Sequence, residues 1–94
     1  MIVGTLRVKL HFPEAHSLKE KRFVLKSLKD RIRNKFNVAV SELGDTKDLW
    51  QIAEIGMAVV GDEQKYLNQV LDHLKNFFEA SADFQLTESL VEFF

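Results

Sequence analysis

The sequence predicts an α+β fold in the order βαββαβ, and three observations carry that expectation. Residues 2–12 alternate between two side-chain classes, Ser17 to Asn37 repeats apolar residues at helical spacing, and the remainder supplies a hairpin, a second helical period and a last strand-like stretch. With 94 residues the chain has room for one modest core, so a single domain over 1–94 is expected.

The first stretch places Ile2, Gly4, Leu6, Val8, Leu10 and Phe12 on one face and Val3, Thr5, Arg7, Lys9 and His11 on the other. That period of two marks a half-buried strand. Pro13 has no amide hydrogen to give a ladder and ends it. A helix then begins at Ser17, whose hydroxyl caps the free amides while Glu20 reaches back to the cap's own amide.

Within this helix Leu18, Val24, Leu25, Leu28, Ile32 and Phe36 share the side that faces the sheet. Residues 17–37 also hold eight of the thirteen basic residues against Glu20 and Asp30, a segment charge of +6 in a chain of net charge −1. Lys19, Arg22, Lys26, Lys29 and Arg33 follow one another at steps of three or four and form one stripe. Like charges at that spacing cost a few tenths of a kcal/mol per pair, roughly 0.2–0.5. The stripe fits an acidic partner, and it equally fits a solvated flank whose long stems cover the core edge. Phe23 lies near the stripe, outside the apolar side, where stacking on a base, a dimer contact and packing on a loop are all open. Lys21 projects toward the core, either to snorkel out or to be held there.

Asn37 to Leu43 reads as a short strand, Gly44 to Asp48 as a turn, and Leu49 to Val60 as the returning strand of a hairpin. The returning strand has Trp50 and Ile52 on one face and Ile55, Met57 and Val59 on the other, so both faces ask for cover unless a bulge near Glu54 or Gly56 merges them. Asp62 is the expected cap of a second helix, running to about Glu79, with Leu67, Val70, Leu71, Leu74, Phe77 and Phe78 inward. The last strand, residues 82–94, alternates imperfectly and predicts a bulge or bend at Thr87 to Ser89. The whole is a ferredoxin-like plait, a four-stranded antiparallel sheet with two helices on one face.

Several chemistries find no support. The absence of cysteine removes disulfides, thiolate catalysis and cysteine-based metal sites. Paired carboxylates, a nucleophile with an adjacent base and a Gly-rich phosphate loop are missing, so no catalytic residue, cofactor or metal is expected. His11 and His16 flank one loop, but His73 lies in another element and no third ligand is evident. The two central strands present no aromatic residues for stacking in the manner of an RNA-recognition motif. The best local anion site is the helix start, Ser17 with Lys19, Lys21 and Arg22. The N-terminus lacks a signal-peptide pattern and no run reaches a membrane span of about 18 apolar residues, so a cytoplasmic, non-membrane protein is expected.

The runs SLKEKR at 17–22, FNVAVSEL at 36–43 and WQIAEIG at 50–56, with AVV behind the last, resemble the small bacterial YlxP-like family over nearly the whole chain. The resemblance carries over at Ser17, Leu18, Lys19, Glu20, Lys21 and Arg22, at Phe36, Asn37 and Val38, and at Trp50 and Gln51. It implies the ferredoxin-like fold, no established activity, and, through genes that commonly neighbour those of transcription-elongation, translation-initiation and ribosome-maturation factors, an accessory role near RNA or the ribosome. Gly61 stands where family members often have serine, which weakens an anion site before the second helix.

The leading expectation is thus a non-enzymatic protein binding structured RNA or a ribosomal subunit through Lys19, Arg22, Lys26, Lys29 and Arg33. The alternative is a homodimer or protein-interaction module using Phe23, Trp50 and Ile52. An enzyme acting on a small anionic metabolite, the third reading, requires a pocket around Lys21, Arg22 or His16.

Overall fold

The computed structural model describes residues 1–94, and its elements follow the expected order. They are β1 (Ile2–His11), α1 (Leu18–Lys35), β2 (Ala39–Leu43), a 3-10 turn (Gly44–Asp48), β3 (Ile52–Gly61), α2 (Gln64–Glu79) and β4 (Gln85–Phe93). All strand pairs are antiparallel and the sheet order is β2-β3-β1-β4, which is the ferredoxin-like α+β plait.

The sequence periods decide which face is buried. Leu6, Val8 and Leu10 of β1 and Ala53, Ile55, Met57 and Val59 of β3 meet Leu25, Leu28 and Ile32 of α1 and Leu67, Leu71, Leu74 and Phe78 of α2. Each large apolar side chain buried in this layer contributes roughly 1.5–3 kcal/mol. At one end Phe12 and Phe78 flank Phe84 at centroid distances of 5.6 and 6.0 Å, in tilted packing that suits aromatic quadrupoles.

β3 pairs with β1 in unbroken register from Ile52 to Gly61, so no bulge forms near Glu54 or Gly56. Ile55, Met57 and Val59 enter the core, and Ile52 lies on the opposite, open face of the sheet. Gly56 serves a different purpose, because a Cβ there would sit 2.6 Å from Leu43 Cδ1: the Leu43 side chain lies across the glycine. The expected bulge in β4 is present. Lys9 pairs with Glu88 and Leu10 with Leu86, leaving Thr87 as the extra residue, with its Oγ1 donating to Lys9 O at 3.0 Å. This insertion resets the phase, so Leu86 before it and Val91 and Phe93 after it share the helix side with their β1 partners Leu10, Leu6 and Gly4.

Several boundaries differ from expectation: β2 begins at Ala39 in place of Asn37, β4 covers Gln85–Phe93 in place of 82–94, and two others have visible causes. β3 begins at Ile52, later than Leu49: the Phe12 amide still bonds Gln51 O in line with the β1 register, but the Leu49 carbonyl is taken by Lys21 Nζ. α2 is capped at Glu63 without a side-chain hydrogen bond, since β3 runs through Gly61 and leaves Asp62 one residue too early.

Candidate nucleic-acid interface

The start of α1 is fixed by short polar contacts. Ser17 is extended at φ −158° and ψ 161°, and its Oγ accepts the Glu20 amide at 3.1 Å. The Glu20 carboxylate turns back as a capping box requires, but it accepts the amide of His16, at 2.6 Å, in place of that of Ser17. That carboxylate puts negative charge at the helix start.

Lys21 occupies the next turn and is fully buried. Its ammonium donates to Thr46 O at 2.6 Å and Leu49 O at 2.5 Å, and lies 3.3 Å from Glu42 Oε2. β2 alternation brings Glu42 to the helix side opposite Ile55, which places the carboxylate where the ammonium needs a counter-charge. The anion site expected at Ser17, Lys19, Lys21 and Arg22 is therefore corrected. Lys21 is consumed internally, and the remaining cations share the helix start with the Glu20 carboxylate.

The stripe itself forms as spaced. Lys19, Arg22, Lys26 and Arg33 are exposed and Lys29 is half-buried, and the row runs from Lys19, which borders a groove with Glu14 and Asp83, to Arg33 on the side nearer β2. Arg33 marks that side: its guanidinium reaches Val40 O of β2 at 3.5 Å and Asp30 Oδ1 at 3.7 Å. Lys19, Arg22, Lys26 and Lys29 have no carboxylate within ion-pair distance. Lys35, Lys47, Lys65 and Lys75 have none either, but they are not gathered into one row, and the cations of the open sheet face are matched. On the open sheet face Arg7 pairs with Glu54 at 3.3 Å and Lys9 with Glu88 at 3.6 Å. On the far side of α1 Arg31 approaches Asp83 at 3.9 Å and lies over the Phe77 ring.

Phe23, Trp50 and Ile52 do not make one face. Phe23 is 77% exposed on the outer surface of α1, while Ile52 lies on the far side of the sheet. Trp50, 49% exposed, falls in the connection before β3, so strand alternation does not orient it. The expected composite surface is corrected to separate patches. Sequence reasoning also missed a groove of about 540 Å³ beside Phe23, walled by Phe12, Ala15 and Val24 and by the loop carrying Asp83. Its parts come from three separate segments, so no local pattern announced it. Glu42 was missed for the same reason, standing 21 residues from Lys21.

No three His, Asp or Glu side chains gather into a metal-holding cluster, and no helix is long and apolar enough to cross a membrane. A family model described as "Protein of unknown function (DUF503)" matches residues 3–91. A relative from Bacillus subtilis (strain 168), called "Uncharacterized protein YlxP", is 37% identical over 81 residues, which cover 86% of this chain and 87% of the relative.

Proposed function

Because the chain belongs to the family described as "Protein of unknown function (DUF503)", to which no activity is attached, we propose from its own surface that it is a non-enzymatic, cytoplasmic accessory protein that binds structured RNA, foremost on a ribosomal subunit, through the basic flank of α1. One observation carries this reading. Lys19, Arg22, Lys26 and Lys29 stand together without carboxylate partners, while cations on the open sheet face are neutralised. From Lys19 to Arg33 the stripe runs about 21 Å along the helix, long enough to meet several phosphates in succession. Contacts of this kind position a protein on RNA and confer little sequence preference.

The test is the salt dependence of binding to structured RNA, measured by fluorescence anisotropy. Each phosphate engaged contributes roughly −0.7 to −0.9 to the log–log slope, so four engaged cations predict a slope of roughly −3. A slope near zero contradicts the reading.

A second reading, compatible with the first, is self-association through the open sheet face. It is favoured by apolar exposure on that face at Val60 and Leu90 and at the chain end Phe94, with Leu49 and Trp50 exposed in the connection before β3. Light scattering at high concentration tests it, with a dimer dispersed by Trp50→Ala as the supporting result and a monomeric unmutated chain as the opposing one.

A further inference from the structure

The most exposed aromatic side chain of the helices is Phe23, and its surroundings are chemically mixed in an informative way. On α1 it has Lys19 one turn before it and Lys26 one turn after, both exposed and free of carboxylate partners. Beside it opens the groove of about 540 Å³ between α1, the 12–15 loop and the loop before β4. That volume lies in the range of small-ligand sites. The floor is apolar, formed by Phe12, Ala15 and Val24.

The groove's charged lining is Lys19 together with three carboxylates. Glu20 is engaged by the His16 amide and Asp83 faces Arg31, while Glu14 has no ion-pair partner. Carboxylates repel a phosphate entering the groove and accept hydrogen bonds from N–H groups. Lys19 in the groove wall, Lys26 outside it and the free Glu14 acceptor sort the two halves of a nucleotide: phosphates along Lys19 and Lys26, a base in the groove.

We propose that this groove receives an unpaired nucleobase, with Phe23 as its stacking surface, Lys19 and Lys26 holding the flanking phosphates, and Glu14 accepting from the base's amino edge. The inference rests on the RNA-binding reading and makes it specific: the preferred RNA has a bulged or single-stranded nucleotide next to the phosphates the stripe engages. Unpaired bases are what proteins stack and read in RNA, since the edges of a continuous A-form helix are hard to reach. A carboxylate acceptor favours bases with an exocyclic amino group over uracil.

The experiment compares anisotropy of labelled single-stranded oligo(A), oligo(U) and a blunt RNA duplex over a series of salt concentrations from low to moderate, for the unmutated protein, Phe23→Ala, Phe23→Trp and the pair Lys26→Glu, Lys29→Glu. The expected result is tighter binding of oligo(A) than oligo(U), and a loss of about tenfold or more for oligo(A) in Phe23→Ala, the size of one base–aromatic stack. Phe23→Trp should restore it, and Phe23→Ala should leave duplex affinity and salt slope unchanged. Because Phe23 is exposed, its replacement does not open the core. If Phe23→Ala binds oligo(A) as tightly as the unmutated protein while the charge-reversed pair loses RNA, the base groove is wrong and the basic-flank reading stands. If no RNA binds at any salt, both fail.

Discussion

Lys21 Nζ lies 3.3 Å from Glu42 Oε2 beneath the basic flank of α1, making Lys21 the one cation of that helix turned wholly inward. The carboxylate supplies counter-charge without a hydrogen bond of its own, while the carbonyls of Thr46 and Leu49 take two of the ammonium's donors. One side chain thereby joins α1 to β2, to the 3-10 turn and to the segment leading into β3.

Removing the ammonium strands all three acceptors. Lys21→Met is expected to cost about 3 kcal/mol, below the upper end for a fully buried pair because the Glu42 side chain keeps some access to water. Against a typical domain stability of about 5–15 kcal/mol this is severe. Urea unfolding of Lys21→Met, Glu42→Leu and the double variant checks it. The cycle should show coupling, with the double variant recovering part of the loss.

The cap of α1 is a second, smaller lever. Ser17→Ala removes the acceptor for the Glu20 amide and should cost about 1 kcal/mol, whereas Ser17→Asp should be nearly neutral. The same denaturant titration reads both, and equal stability of Ser17→Ala and the unmutated chain would show that water replaces the cap.

Gly44 opens the 3-10 turn at φ 74°, the only positive φ in the chain. A Cβ there adds left-handed strain and would lie 2.9 Å from Glu54 Oε2. Gly44→Ala should lose about 1–2 kcal/mol and Gly44→Asn less, since asparagine tolerates this region. Thermal unfolding of the two variants side by side distinguishes strain from a simple loss of space.

Much of this architecture was legible in the residues because it depends on local periodicity. Alternation over Ile2 to His11 named the buried face of β1, Ser17 and Glu20 marked the start of α1, and the broken alternation before Ser89 announced the Thr87 bulge. What stayed hidden depends on contacts between segments. A helical wheel turns Lys21 inward but cannot supply Glu42, Thr46 or Leu49 as its partners, nor foresee that Leu49 commits its carbonyl to a helix side chain. Spacing likewise places Lys19, Arg22, Lys26 and Lys29 in one row, yet only the fold shows that they lack carboxylates while Arg33 meets Asp30.

The central claim is that this row meets RNA on the ribosome, and the most direct measurement is sedimentation of the protein with ribosomal subunits at low and moderate salt. The Lys26→Glu, Lys29→Glu variant is run alongside, since both side chains lie outside the core and their reversal should leave unfolding unchanged. Salt-sensitive cosedimentation that the variant loses is the predicted result. Protein that stays in the supernatant at every salt, or a variant that pellets as well as the unmutated chain, would contradict it.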